Sequence, residues 1–316
     1  MDAMLAAIAS LRGRRGDRGI RTDTVVVQDR VQGLTTVVLR RRDALESKAR
    51  SLESQVQDAL GAPDPADQLV MTPYNKLILI RNRFNIMDVH LLLCAAEFIH
   101  QLQPLELSDM EVVQSLLEHG MLAAYNAGKL SGASQPRKHI QLIGLPFFSD
   151  DEQNVFPLSD LIDRELSDPD KQDRPARLSA FAGRNHGVIR FTKIPSPEKL
   201  YAHYVNLLEY CNANDLVAVS RRDLGLSFDR PSPVTAEYIS NECLVHVYRR
   251  DFSLLITDRF IFIGVRGTDK PFGIGCNSIS YTGNLFVGSE DQERIIIEVG
   301  PFAVLAAGLE ELPPKK

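Results

Sequence analysis

The sequence is poor in cysteine, has no excess of basic residues and contains no long hydrophobic run. Its four cysteines lie far apart without a CxxC pair, so we expect neither a disulfide framework nor a structural zinc site. Such cysteine usage is typical of a reducing compartment and predicts a cytoplasmic protein. No apolar run approaches the roughly 18 residues that a membrane-spanning helix needs, so no membrane partner is expected.

The charge balance argues against binding to large anionic surfaces, such as nucleic acid or a membrane. The net charge is −5 at pH 7 and the pI is about 5.8, which disfavours a nucleic-acid coat or a membrane-surface protein. A phosphate-rich ligand would therefore need a local basic cluster. The apolar start of the chain has no positive residues before it, so it is not predicted to be a signal peptide. The 316 residues suit one large domain or two tightly joined halves.

Hydrophobic periodicity predicts short strands alternating with amphipathic helices. The predicted strands are residues 24–27, 34–39, 76–84, 88–94, 188–192, 252–257 and 260–265. The predicted helices are residues 1–12, residues 40–60, a helix that opens with a capping box at residues 108–111 and ends at residues 125–128, a helix capped by Ser196, and residues 289–308 with a break at residues 300–301.

The most informative stretch is residues 131–143, a loop of small residues that leads into a strand-like segment. Alternation places Arg137, His139 and Gln141 on one face of that segment, and Lys138 on the other face with its apolar neighbours. The loop is small enough for backbone N–H groups to approach an anion closely. The combination predicts a site for nucleophilic attack on a phosphate ester.

These residues carry a family resemblance. The run Gly132-Ala-Ser-Gln-Pro-Arg-Lys-His-Ile-Gln141 resembles the active-site signature of the diadenosine tetraphosphate phosphorylases, also called ATP adenylyltransferases. They belong to the galactose-1-phosphate uridylyltransferase branch of the histidine triad superfamily. Further matches are Asn82-Arg-Phe with His90-Leu-Leu-Leu, Phe98 with Gln101, Tyr125-Asn-Ala-Gly128, Leu254-Leu-Ile-Thr257 with Phe260 and Arg266, Asn277 to Gly283, and residues 299–306. In this sequence Arg137 replaces the first motif histidine, Ser253 an asparagine and Val265 a proline.

The resemblance implies an α+β fold, with a histidine-triad-like, mainly antiparallel sheet, flanking helices and an extension by the C-terminal half. Residues 1–148 would be the N-terminal catalytic half that carries the histidine motif. Residues 149–186 are rich in Asp, Pro and Arg with sparse periodicity, and are predicted to be a variable excursion or linker. Residues 187–316 would be the C-terminal half that completes the nucleotide site.

The resemblance also implies the chemistry. His139 would attack the α-phosphorus of diadenosine tetraphosphate, release ATP and keep AMP on its imidazole, after which phosphate would take the AMP to give ADP. The carbonyl of Arg137 would accept a hydrogen bond from the other ring nitrogen, and its guanidinium is expected to hold a phosphate oxygen. Gln141 would donate a hydrogen bond to the AMP group. Because an amide cannot shuttle a proton to water, transfer should prevail over hydrolysis.

Substrate-contacting residues are implied in both halves of the chain. They are Lys48, Asn82, Arg83, Asn126, Gly132, Ala133, Ser134, Gln135, Arg137, Ser253, Thr257 and Arg266. The alternatives are structural roles. They are a helix surface for Lys48, a strand end at the surface for Asn82 and Arg83, a helix end for Asn126, a simple turn for Ser134 and Gln135, and packing for Thr257 and Arg266.

The expected ligands are diadenosine tetraphosphate, ATP, ADP and phosphate, with no nucleic-acid partner. No cofactor is expected to bind tightly and no metal ligand is assigned; Mg²⁺ would at most assist by screening the polyphosphate, because the sequence shows no carboxylate cage. The oligomeric state stays open.

Two other functions stay open at this point. One is a related nucleotidyltransferase that uses sulfate or a sugar phosphate, such as a hexose-1-phosphate uridylyltransferase. The other is a nucleotide-binding regulator that kept the pocket and lost turnover, and Arg137 is the feature that supports it. A covalent AMP adduct would separate the enzymes from the regulator.

Overall fold

The computed structural model describes residues 22–29, 33–41, 58–63, 65, 68–71, 76–82, 89–145, 156–224 and 244–313. The strands are β1 (Thr22–Asp29), β2 (Leu34–Arg41), β3 (Gln68–Met71), β4 (Leu77–Arg81), β5 (His90–Ala95), β6 (Met121–Ala127), β7 (His139–Gly144), β8 (His186–Arg190), β9 (Leu216–Ser220), β10 (Leu244–Tyr248), β11 (Phe252–Ile256), β12 (Phe260–Val265) and β13 (Leu285–Val287). The helices are α1 (Leu107–Leu117), α2 (Pro157–Leu166), α3 (Pro197–Tyr210), α4 (Arg221–Leu224), α5 (Glu290–Val299) and α6 (Pro301–Ala307).

An eight-stranded sheet organises the chain, in the order β3-β4-β5-β7-β6-β11-β12-β8. All of its neighbouring strands are antiparallel, and β6 pairs with β11, so both halves of the chain build one sheet. Smaller sheets join β1-β2-β13 and β9-β10. The predicted α+β fold with a mainly antiparallel sheet is therefore confirmed.

The sheet has an apolar core on each face. On one face, side chains such as Ile140, Leu142 and Leu254 pack with α1 and α3. On the other face, Ile143 and Leu255 pack with residues of α2 and α6. His139 and Gln141 alternate with Ile140 and Leu142, so they lie on the second face, near the end of β7 at which the strand begins.

Seven predicted strands fall on observed strands, and the C-terminal helical region is also confirmed. Gly300, at φ 96°, separates α5 from α6. Ser196 caps α3 through its side chain, with Pro197 at the first helical position as predicted. Residues 1–12 and 42–57, predicted to be helical, lie outside the described residues, and residues 40–41 belong to β2 rather than to a helix.

The predicted helix at residues 108–128 is wrong at both ends. Its cap is Glu106, whose side chain forms the capping box with Asp109, and the helix ends at Leu117. Gly120, at φ 72°, reverses the chain, and residues 121–127 form β6. Because every residue of β6 is buried, its sequence lacks the alternation that marks a half-exposed strand.

Part of the segment predicted to be an excursion or linker is folded. Residues 157–166 form α2, whose residues Leu158, Leu161 and Ile162 are buried against the second face of the sheet. The domain boundaries stay a prediction. Among the described residues, no helix is both long and apolar enough to cross a lipid bilayer.

Candidate active site

His139 is held in one tautomer by its own strand. Its Nδ1 donates a hydrogen bond of 2.9 Å to the carbonyl oxygen of Arg137, as the motif predicts. Since the single proton of a neutral imidazole is then on Nδ1, Nε2 keeps its lone pair. Burial lowers the pKa of His139, and the bond to the Arg137 carbonyl opposes that shift only in part. Near neutral pH the ring is therefore neutral, with a lone pair on Nε2.

The backbone of His139 is hydrogen-bonded to the side chain of a buried glutamine. The side chain of Gln101 accepts a hydrogen bond from the His139 N–H at 2.7 Å and donates to the His139 carbonyl at 3.2 Å. It also donates to the carbonyl of Asn126 at 2.9 Å. The β6–β7 ladder stops at Ala124 and Gln141, so the Gln101 amide replaces the missing strand pairing beside His139.

Gln101 was not among the predicted site residues. Its match to the family pattern, with Phe98, was the available signal, but the sequence could not show that its amide bridges two diverging strands. The Gln101 side chain is fully buried. Both amide hydrogens and the oxygen of Gln101 are used, so its side chain fixes the backbone of His139 relative to β6.

Gln141 lies two residues further along the same face and is also buried. Its Oε1 is 3.1 Å from Nε2 of His90, on the neighbouring strand β5. The same His90 nitrogen lies 3.0 Å from Nδ2 of Asn82. The structure thus brings the predicted residues Asn82 and Gln141 to one histidine.

In the small-residue loop between β6 and β7, two glycines lie very close to side chains of the C-terminal half. Gly128 has φ 91°, and a Cβ there would lie 2.3 Å from a carboxylate oxygen of Asp251. Gly132 has φ 89°, and a Cβ there would lie 2.9 Å from the Cβ of Asn277. Both conformations lie in the left-handed region, which favours glycine. The loop is consequently packed against two segments of the C-terminal half.

The tip of this loop offers unused donors. Ala133 is buried, whereas Ser134 is exposed and Gln135 is half-buried. Within the described residues, neither the side chains nor the backbone N–H groups of Ser134 and Gln135 have a hydrogen-bond partner. Unpaired N–H groups in a loop that follows glycines are suited to an anion. This geometry agrees with the predicted phosphate contacts of the loop.

The predicted phosphate contact of the Arg137 guanidinium is corrected by its surroundings. The group donates to both carboxylate oxygens of Asp58, at 2.6–3.2 Å, and to the carbonyl oxygens of Ala95 and Ala96 at 2.8 and 3.0 Å. Its side chain is 7% exposed and lies over the ring of Phe98. Arg137 therefore ties the turn at Asp58 to the end of β5, and its carbonyl oxygen is the part that contacts the His139 ring.

Asn126 is brought to the site by β6. Its Oδ1 accepts a hydrogen bond of 2.8 Å from the backbone N–H of Ser278, which turns its NH₂ group away from that segment. Ser253 is the direct cross-strand partner of Asn126. The hydroxyl groups of Ser253 and Ser278 are buried, and the described residues contain no partner for either.

Arg266 supports the loop from below. It is buried and donates to the carbonyl oxygens of Leu130, Thr268 and Cys276 at 2.7–3.0 Å, and to the Tyr281 hydroxyl. These bonds use four of the five guanidinium N–H groups of Arg266, so most of its donors hold the loop and its neighbouring segments.

Thr257 is not next to the loop. It follows β11 four residues after Ser253, about 13 Å away along an extended strand. Its hydroxyl accepts from the backbone N–H groups of Arg259 and Phe260 in the β11–β12 turn. The predicted residues Lys48 and Arg83 lie outside the described residues.

Fold and site together define a class of protein: one antiparallel sheet built by two halves, with a tautomer-locked histidine beside a glycine-shaped loop. Two family models match the chain, the Ap4A phosphorylase N-terminal domain over residues 18–164 and the ATP adenylyltransferase C-terminal domain over residues 182–308. Ap4A is diadenosine tetraphosphate. The chain therefore belongs to the Ap4A phosphorylase, or ATP adenylyltransferase, family, and the resemblance of the motifs is confirmed.

Known relatives agree with this assignment. Protein APA1 of Saccharomyces cerevisiae is 26% identical over 141 residues, which cover 40% of this chain and 43% of APA1. The match thus spans less than half of that relative's length. The crystal structure of yeast Ap4A phosphorylase Apa2 has a TM-score of 0.67 at 17% identity, covering 100% of this chain and 96% of its own. Apa2 in complex with Ap4A gives 0.68 at 17% identity, covering 99% and 97%. These structures share the fold.

Proposed function

We propose that this protein is an ATP adenylyltransferase that phosphorolyses diadenosine tetraphosphate through a covalent AMP-histidine intermediate. The observation that carries the proposal is the His139 ring, whose Nδ1 donates to the Arg137 carbonyl at 2.9 Å and leaves Nε2 unprotonated. Family membership supports the substrate class, as does the crystal structure of yeast Apa2 with Ap4A.

In the first step, Nε2 of His139 attacks the α-phosphorus. A P–N bond forms, and the bond from that phosphorus to the bridging oxygen breaks, so that ATP leaves with the electron pair. The positive charge on the ring is stabilised by the Nδ1–H bond to the Arg137 carbonyl.

In the second step, an oxygen of inorganic phosphate attacks the same phosphorus. The P–N bond breaks, its electron pair returns to Nε2, and ADP is released. The ring regains its starting state without a net proton transfer, so the cycle needs no further acid or base on His139.

The neighbouring donors have separate roles in this proposal. The Gln141 amide donates to a non-bridging oxygen of the AMP group, and lost donors of this type can cost roughly 10²–10³ in rate. Ser134 and Gln135 offer N–H groups to the phosphate chain. Asn126, with the buried hydroxyls of Ser253 and Ser278, supplies polar partners to a nucleotide or to water.

A divalent cation would arrive with the polyphosphate. The described residues include no group of three or more His, Cys, Asp and Glu side chains placed to hold a metal ion. Mg²⁺ would assist by screening the charge of the polyphosphate. A cytoplasmic location fits the buried, free cysteines Cys94, Cys211 and Cys276.

The alternative of a nucleotide-binding regulator rested on Arg137. Arg137 retains the carbonyl contact with His139, and its side chain binds the carbonyl of Ala95, so this alternative loses its support.

The test is anion-exchange chromatography of diadenosine tetraphosphate incubated with the protein, with and without phosphate. ATP plus ADP only in the presence of phosphate is the expected result. Sulfate and glucose 1-phosphate tested in place of phosphate identify the acceptor. ATP plus AMP regardless of phosphate would show a hydrolase, and binding without turnover would restore the regulator.

A further inference from the structure

His90 is a buried histidine whose ring touches the site but has no role in the steps above. Its Nε2 lies 3.1 Å from Oε1 of Gln141 and 3.0 Å from Nδ2 of Asn82. Its Nδ1 is buried and has no hydrogen-bond partner among the described residues. His90 pairs with Ile143 in the β5–β7 register and Gln141 pairs with Leu92, so His90 and Gln141 meet diagonally across two strands.

The position of the His90 proton follows from these contacts. A neutral imidazole carries one N–H and one lone pair. A proton on Nδ1 would be a buried donor without an acceptor, and would set the Nε2 lone pair against the oxygen of Gln141. A proton on Nε2 gives Gln141 a donor and leaves only a lone pair without a partner, which is the less costly outcome.

The ring is also neutral. Burial lowers the pKa of His90 to about 4, against a raising effect of the hydrogen bond to Gln141 and a further lowering effect of His139. At neutral pH the two histidines therefore do not repel each other. A protonated Nε2 has no lone pair for the Nδ2 of Asn82 that lies 3.0 Å away, so this tautomer requires the flipped Asn82 amide, in which Oδ1 takes the place of Nδ2 and accepts from the same N–H.

We propose that His90 is a positioning residue for adenylyl transfer: its Nε2–H holds Oε1 of Gln141, and so directs the NH₂ group of Gln141 to the transferring phosphoryl group. An amide turned by 180° would present its oxygen to the phosphate and repel it. The inference rests on the proposed function, and it explains why an amide, which is symmetric in shape, donates rather than accepts at this position.

The decisive experiment is a double-mutant cycle on the single-turnover rate of AMP-adduct formation, using His90→Phe, Gln141→Ala and the double variant. His90→Phe removes the donor while keeping a ring, and should lower the rate about 10- to 10²-fold with nucleotide KM within about threefold of the wild type. In the Gln141→Ala background the same change should have almost no further effect, because the amide it orients is gone. His90→Gln, which can donate from an amide, should recover part of the rate.

Multiplicative effects of His90→Phe and Gln141→Ala would overturn the proposal, as would a full rate in His90→Phe. If the variants do not fold, the wild type still decides: ¹⁵N chemical shifts of the imidazole should show the proton on Nε2 of His90, and a proton on Nδ1 would overturn the assignment. A wild type that forms no AMP adduct would refute the proposed function instead, and the ¹⁵N result would still judge the tautomer of His90.

Discussion

Two histidines of this protein share one local geometry and differ in one contact. Nδ1 of His139 donates to the carbonyl of Arg137, and Nδ1 of His186 donates to the carbonyl of Arg184, each at 2.9 Å and each two residues back along the chain. Burial is the largest cause of a lowered pKa for both rings.

The difference lies at the second nitrogen. Nε2 of His186 accepts a hydrogen bond of 2.8 Å from the backbone N–H of Leu178, and the ring is fully buried. Nε2 of His139 has no such partner within the described residues. Locking the tautomer is thus common to both histidines, and what distinguishes His139 is an Nε2 lone pair to which no described residue donates a hydrogen bond.

The largest effect should come from exchanging each ring for an amide. His139→Asn should lower the rate of diadenosine tetraphosphate turnover by at least about 10³-fold and abolish the AMP adduct, because the nucleophile is removed. The matched control His186→Asn should keep turnover per folded molecule within a few-fold of the wild type. It should lower the free energy of unfolding by about 1–3 kcal/mol, through the unpaired Leu178 N–H. An adduct in His139→Asn, seen by intact mass after incubation with substrate, would assign the nucleophile to another residue.

An intermediate effect is expected at the backbone supports of the two rings. His186 is held by its ladder with Gly264, whereas His139 depends on the Gln101 side chain. Gln101→Leu should lower the rate of adduct formation by about 10- to 10²-fold, because small displacements of a reacting group are costly. Equal rates in wild type and Gln101→Leu, measured by rapid quench, would contradict this dependence.

Near neutral pH, the smallest effect is a difference in the pH dependence of the free energy of unfolding. The pKa of His186 is lowered to about 4, so between pH 6.5 and 4 the unfolded chain binds a proton at this position that the folded chain does not. The free energy of unfolding should therefore fall with falling pH in this window, by about 1.4 kcal/mol per pH unit per histidine of this kind. Urea titrations of the wild type and His186→Asn should show a shallower slope in the variant. Parallel slopes would mean that His186 is not buried in its neutral form.

The sequence predicted the fold class and most strands of the main sheet, whereas the roles of the site residues stay predictions. The strand that carries His139 and the glycine loop involve residues that are close along the chain, so their patterns could be interpreted directly, and the family resemblance implied the contact with the Arg137 carbonyl. The strand β6 was missed because a strand buried on both faces has no alternation.

Contacts between residues far apart in the chain could not be predicted from the sequence. The two partners of Gln101 on β6 and β7 are separated from it by 25 and 38 positions, and Asp58 lies 79 positions from Arg137. The charged side chain of Arg137, close to the motif histidine, suggested a phosphate contact. Only the fold shows that the Arg137 guanidinium already binds the carboxylate of Asp58. The orientation of Gln141 depends likewise on His90, 51 positions away.

The way in which the loop is held also sets when the site can exist during synthesis. The N–H of Leu130 donates to Asp251, and the carbonyl of Leu130 accepts a hydrogen bond from Arg266. These two partners follow Leu130 by 121 and 136 positions in the chain. At typical ribosomal speeds that delay is on the order of ten seconds. Until those residues leave the ribosome, the nascent chain carries His139 without the supports of its glycine loop. The growing polypeptide should therefore be unable to capture AMP from cellular dinucleotides before Asp251 and Arg266 have emerged.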